Sequence, residues 1–221
     1  MKISKETLEI LQNFSTINES IMVFQGNRQR TFTKLKVVYG EAIIQEEFPR
    51  DFAIYELPTF LGLLSLFKDP ELTFSDTKVT IQEGSHTATY RYCNPSLIVH
   101  PDKEKNLQFG EAMFSFELSA EHYRTILKAV SLYQQEYISI DCDGTDIVVR
   151  TMNPKDQGAD YFSHKIGESD QKFRIVLKVE NLKFLPHSYD VTISKNRLVM
   201  FRSKNMNLFY AVPAEANFSG I

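Results

Sequence analysis

Ser4-Lys5-Glu6-Thr7-Leu8-Glu9-Ile10-Leu11-Gln12-Asn13-Phe14 and Ser119-Ala120-Glu121-His122-Tyr123-Arg124-Thr125-Ile126-Leu127-Lys128-Ala129-Val130 are two versions of one pattern, 115 residues apart. Each opens on a serine suited to cap a helix. Each then places apolar residues at helical spacing: Leu8, Leu11 and Phe14 in the first, Tyr123, Ile126, Leu127 and Val130 in the second. A second shared signal is a short strand running straight into a helix. Phe52-Ala53-Ile54-Tyr55 leads into Leu57, Phe60, Leu61 and Leu64. Phe173-Arg174-Ile175-Val176 leads into Val179, Leu182 and Leu185, a shorter helix stopped by Pro186 and His187. The third is a closing antiparallel meander. Leu72–Phe74, Val79–Ile81 and Thr87–Tyr92 correspond to Val191–Ile193, Leu198–Met200 and Leu208–Tyr210. Three signals in the same order at nearly constant offset predict an internal duplication of one α+β domain.

The length of 221 residues accommodates two such domains. The predicted boundaries are 1–93 for the first domain, 94–112 for a linker and 113–221 for the second. The linker prediction rests on Asn94-Pro95-Ser96-Leu97-Ile98-Val99-His100-Pro101 and the charge cluster that follows it. Hydrophobic residues make up 43% and charged residues 24%, an ordinary globular balance. Cys93 and Cys142 lie far apart in apolar surroundings, which predicts a reducing compartment and no disulfide framework. The start lacks the apolar run of a signal peptide, and the stretch from Phe60 to Phe67 is too short to cross a bilayer. A soluble intracellular protein is expected. The net charge of −3 argues against a tight electrostatic grip on nucleic acid, which favours a basic protein.

Catalytic constellations are sparse. Asp141-Cys142-Asp143-Gly144-Thr145-Asp146 offers three carboxylates to a divalent metal, but a calcium loop needs glycine at position six and glutamate at twelve. Here glycine stands at four and Met152 at twelve, and apolar strands flank the segment, so a hairpin turn at Asp143-Gly144 is expected. His86, His100, His122, His164 and His187 show no ligand spacing. No phosphate-cradling loop, nucleophile elbow or dinucleotide fingerprint occurs, so the sequence proposes neither an enzyme activity nor a metal or cofactor. The helices carry cations away from their apolar stripes. Arg124 and Lys128 fall one turn apart on the second capped helix, Lys2 and Lys5 lie beside Glu6, Glu9 and Asn13 on the first, and Lys178 and Lys183 accompany the short fourth helix. Read alone, these are solvated faces.

Ala53-Ile54-Tyr55-Glu56-Leu57, continuing through Phe60-Leu61-Gly62 to Leu64-Ser65-Leu66, resembles the sliding clamps of T4-type bacteriophages, the processivity factors of their DNA polymerases. So do Lys2-x-Ser4-Lys5 and Asn13-Phe14-x-Thr16-Ile17-Asn18 leading to Ile21-Met22. The resemblance covers the first 75 or so residues well; the second half matches in the order of its elements, and in residues only at places such as Asn181-Leu182-Lys183.

The resemblance implies two tandem DNA-clamp domains with antiparallel sheets outside and helices lining a central hole, closed as a homotrimer of six domains. It implies a non-enzymatic role: holding the replicative polymerase on double-stranded DNA after loading by a clamp-loader ATPase, in an infected bacterial cytoplasm. Late-transcription proteins are a further partner of such clamps. On this footing Lys5, Arg124, Lys128 and Lys183 are expected to face DNA. Leu97, Ile98 and Val99, with Pro213, are expected to wall a cleft for partner peptides. Subunits are expected to join through edge strands at Thr87–Tyr92 and Ala159–Ile166, with Thr89, Tyr90, Tyr161 and Ser163 at the joint. Two other classes stay open: a monomeric β-rich adaptor for peptides, and a small metal-dependent hydrolase built on Asp141, Asp143 and Asp146.

Overall fold

Two of the helices begin where the sequence supplies a serine cap. In the computed structural model, which describes residues 1–156 and 158–216, three α-helices occur among the described residues: α1 (Lys5–Ile17), α2 (Leu57–Leu64) and α3 (Ala120–Tyr133). The Ser4 hydroxyl accepts from the Thr7 amide, and the Ser119 hydroxyl accepts from the His122 amide, so both caps act as the sequence predicts. Glu46 reinforces the first, accepting from the Ser4 amide and the Thr7 hydroxyl. Burial on α1 takes in Ile10, Leu11, Phe14 and Ile17, but also Asn13, which the sequence reading put on the polar face.

The chain divides into two compact units, Met1–Asn106 and Leu107–Ile221. The first holds β1 (Ile21–Val23), β2 (Gly26–Phe32), β3 (Tyr39–Phe48), β4 (Phe52–Ile54), β5 (Glu71–Phe74), β6 (Lys78–Glu83) and β7 (His86–Arg91). All pairings are antiparallel: β1 with β4, β2 with β3, and β5-β6-β7 as a meander. Ile10, Phe14, Leu57, Phe60, Leu72, Val79 and Ile81 are almost wholly buried where helices meet strands. Removing each of these side chains from water contributes roughly 1.5–3 kcal/mol.

The second unit holds β8 (Ala112–Leu118), β9 (Tyr137–Asp143), β10 (Asp146–Met152), β11 (Ser163–Glu168), β12 (Lys172–Lys178), β13 (Tyr189–Ser194), β14 (Leu198–Ser203) and β15 (Leu208–Pro213). They form two antiparallel sheets, ordered β11-β10-β9-β12 and β8-β13-β14-β15. The predicted fourth helix is absent. Only a 3₁₀ turn at Val179–Asn181 follows β12. The reason lies in the aromatic core. Phe184 is buried against Tyr210, Tyr189 and Phe201, its ring stacked 4.4 Å from that of Tyr210. The Tyr123 hydroxyl donates to the Leu182 carbonyl at 2.9 Å, and the Tyr189 hydroxyl donates to the Leu185 carbonyl. These carbonyls serve tertiary bonds rather than a helical ladder.

The predicted linker is largely part of the first unit. Asn94 caps a 3₁₀ turn at Pro95–Leu97, and Ile98 joins a small cluster of Met22, Phe24, Ala53 and Cys93. Beyond it, Arg30, 2% exposed, donates to the carbonyls of Lys103 (2.6 Å) and Lys105 (2.8 Å) and lies 5.1 Å over the Phe24 ring. Lys103 in turn pairs with Asp51 at 2.8 Å, and Arg28 bonds Asn106. No helix among the described residues is long and apolar enough to cross a membrane, and both cysteines are free.

Candidate functional site

Four places carry the sequence-predicted residues, and they differ in chemistry. The cations come first. Arg124 and Lys128 are exposed on one face of α3, opposite the buried Tyr123, Ile126 and Val130. Arg124 also donates to the Pro186 carbonyl at 3.2 Å, which tethers the segment carrying the exposed Lys183 to the same helix. These three groups therefore share one region of the second unit. Lys178 turns aside to Glu180 at 3.9 Å. In the first unit, Lys5 opens α1 and is exposed in line with Glu9, Gln12 and Thr16, so that face carries one cation beside one anion.

The second pair of features is at sheet edges. β7 ends the β5-β6-β7 sheet and β11 ends the β11-β10-β9-β12 sheet. Thr89 and Ser163 are exposed on them. Tyr90 differs from the exposed aromatic expected. It is half-buried against Phe60, its hydroxyl accepts from the Glu56 amide at 3.1 Å, and burial pushes its phenol pKa up. Tyr161 is exposed, with the Arg150 guanidinium 4.5 Å over its ring. It precedes the strand rather than lying in it. The predicted strand at Ala159–Ile166 begins only at Ser163, because the Thr151 hydroxyl captures the Phe162 amide at 2.9 Å and ends the regular ladder. His122 of α3 and His164 of β11 meet edge to face at 4.8 Å, a contact that sequence spacing does not reveal.

The third is a groove of about 530 Å³ in the first unit. One wall is the linker turn, Leu97, Ile98 and Val99; facing it are Ser20, Tyr55 and Pro58, with Lys34, Glu19 and Glu56 at the rim. Leu97 is 66% exposed, Tyr55 54% and Val99 38%, an unusual concentration of solvent-facing apolar surface. Ile98 is buried and pins the wall down. Lys34 lies 3.6 Å from Glu19. Pro213, expected beside these residues, ends β15 in the second unit and is half-buried there. Sequence reading missed Tyr55, Ser20 and Lys34. No alternation signals Tyr55, because all three residues of β4 are buried and Tyr55 turns outward just beyond the strand.

The fourth is the Asp141–Asp146 segment, which is the β9–β10 hairpin turn. Gly144 takes φ +99°, a conformation that favours glycine. Asp143 Oδ1 accepts from the Thr145 hydroxyl (2.6 Å), the Thr145 amide (2.9 Å) and the Asp146 amide (3.1 Å), which holds its carboxyl at about 2. Asp146 pairs with Lys165 at 2.8 Å, and Asp141 lies 3.6 Å from Arg174. Each carboxylate is thus engaged separately. Among the described residues no group of three or more His, Cys, Asp or Glu is arranged to hold a metal ion.

Comparison with known proteins converges on one group. A family model described as DNA polymerase processivity factor matches residues 4–100. The sliding clamp of Enterobacteria phage T4 is 30% identical over 226 residues, covering 98% of this chain and 98% of that protein. The sliding clamp of Vibrio phage KVP40 is 27% identical, covering 97% of this chain and all of that protein. Among solved structures, A. fulgidus PCNA with the C-terminal region of FEN-1 bound matches with a TM-score of 0.69 at 12% identity, covering 97% of this chain and 98% of that one. The H. pylori beta clamp matches with a TM-score of 0.71 at 12% identity, covering 95% of this chain and 63% of that one. At such identities these two show the fold alone.

Proposed function

Since the chain belongs to the DNA polymerase processivity factor family, the sliding clamps, we propose that it encircles duplex DNA as a closed homotrimer and tethers the replicative polymerase for processive synthesis. The observation that carries this is the match to the T4 sliding clamp over nearly the whole of both chains. The duplicated units supply arcs of a wall, and topology rather than affinity keeps the ring on its track. This resolves the charge paradox. Nonspecific contacts with dissociation constants of about 10⁻⁴ to 10⁻⁶ M at physiological salt leave a ring free to slide, so a subunit of net charge −3 needs only a few cations on its inner surface. Arg124, Lys128 and Lys183, grouped in the second unit, and Lys5 of α1 are the groups we assign to that surface.

The ring closes through β7 of one subunit and β11 of the next, whose exposed backbone groups satisfy each other on pairing. Thr89, Tyr90, Tyr161 and Ser163 flank that joint. Partner proteins dock short peptides in the groove walled by Leu97, Ile98 and Val99. Its exposed apolar lining supports this, and the A. fulgidus relative holds a C-terminal region of its partner. The chain's own part is passive: a clamp-loader ATPase opens and places the ring in the cytoplasm of an infected bacterium, and late-transcription proteins are a further class of partner.

The test is retention of the assembled protein on nicked circular DNA against the same DNA linearised, at raised salt. A clamp persists on the circle and runs off free ends; equal loss from both overturns the reading. Light scattering is the companion measurement, since a stable mass of one subunit at micromolar concentration excludes the ring.

A further inference from the structure

Resting on the reading of the groove as a peptide-docking site, we propose that Asn18 is the positioning residue that fixes the groove's walls relative to one another. Asn18 follows the last residue of α1 and is 4% exposed, so it acts on a docked peptide only through its neighbours. Its side-chain amide donates to the Val99 carbonyl and to the Phe32 carbonyl, both at 3.0 Å. Its Oδ1 accepts from the amide and the hydroxyl of Ser20, both at 3.1 Å. Both donors and both lone pairs are therefore used.

The three partners belong to three different parts of the groove. Val99 is in the linker wall and Ser20 in the facing wall. Phe32 ends β2, two residues before the rim residue Lys34. The neighbouring Glu19 carbonyl accepts from the Leu57 amide at 2.7 Å, which ties the same corner to the start of α2 beside Glu56 and Pro58. No other side chain type makes this set. Aspartate would turn an acceptor toward two carbonyl oxygens, leucine of similar shape would leave every partner unsatisfied, and glutamine is a methylene too long. A wall no longer held in place must be ordered by the incoming peptide, which weakens binding and speeds release.

The experiment uses the assembled protein and a fluorescent peptide copying the last twenty residues of the cognate replicative polymerase. Asn18→Asp and Asn18→Leu are each expected to weaken peptide binding by about tenfold or more while retention on circular DNA stays as in the parent. Leu97→Glu tests the underlying reading: unchanged binding there overturns the groove itself. If Leu97→Glu abolishes binding but both Asn18 variants bind normally, the role of Asn18 falls and the groove stands. Ile10→Val, buried in α1 without lining the groove, controls for stability. If at an equal fall in melting temperature it weakens the peptide as much, Asn18 is merely structural. Should neither Asn18 variant fold, Ser20→Ala removes one of the four bonds alone. About two- to threefold weaker binding supports the proposal, and unchanged affinity overturns it.

Discussion

Replacing Arg30 by methionine should free the segment that leads from one unit to the next. Arg30 is 2% exposed and gives two charge-assisted hydrogen bonds, to the carbonyls of Lys103 and Lys105. Bonds to a charged group contribute roughly 1.5–3 kcal/mol each, and the guanidinium over Phe24 adds about 1 kcal/mol. Against this, methionine avoids the burial of a charge, which recovers several kcal/mol, and keeps the aliphatic packing. The balance is a destabilisation of about 2 kcal/mol, or a fall in melting temperature of roughly 4–8 °C for a chain of this size. Arg30→Lys should fall between parent and methionine, because an ammonium on a flexible stem cannot span two carbonyls as a planar fork does. Hydrogen exchange is the decisive assay. Backbone amides from about residue 99 to 106 should lose protection in Arg30→Met before the rest of the first unit does. A variant that melts within about 2 °C of the parent and protects this segment equally would refute the idea that a buried arginine straps the linker down.

Acid should loosen the first unit. Burial works to raise the carboxyls of Glu41, Glu46 and Asp51, but hydrogen bonds from Arg28 and Tyr39, from Thr7 and Ser4, and from Gln25 and Lys103 outweigh it and hold all three below their ordinary values. Depressed folded-state values mean that the stabilisation is complete above the unfolded values, near pH 4 to 4.5, and is lost as pH falls through the folded ones. Urea midpoints taken between about pH 6 and 3 should drop over that window, and a flat profile would count against these bonds. Changing Asp143 and Asp146 to Asn should leave processive synthesis intact, since both serve a hairpin and its flank; collapse with ring assembly preserved would revive the metal-site reading. Arg124→Ala and Lys128→Ala should each lower the slope of log affinity against log salt for open DNA by at most about one per contact removed, without altering retention on circles at low salt.

The parts of the fold legible in the sequence are those governed by local rules. Ser4 and Ser119 cap helices because a side-chain oxygen three residues from a free amide does so almost regardless of context. The Asp143-Gly144 turn is equally local. The fourth helix failed because the Leu182 carbonyl is claimed by Tyr123 of a distant helix and the Leu185 carbonyl by Tyr189 at the start of the next strand, and no periodicity in residues 179–185 announces that. Asn13 reads as a polar-face residue yet is buried, and Arg30, which no pattern singles out, is buried too. The site followed the same division. Leu97, Ile98 and Val99 read locally as a linker and were set at a cleft only by the family resemblance; in the structure they line a groove. Its other wall, Ser20, Tyr55 and Pro58, comes from parts of the chain that no local pattern connects.

The sheet-edge strands β7 and β11 belong to different units and differ in sequence. A joint between them is head-to-tail, so each added subunit offers the same unsatisfied edge that it has just covered. Nothing in such a joint counts to three. Only the rotation per step makes the third subunit meet the first, and a small error in that angle turns a closed circle into an open helix. In the ring we propose, the contact that closes it is also a polymerisation site held in check by geometry, and substitutions that alter its twist without weakening it should yield filaments rather than monomers.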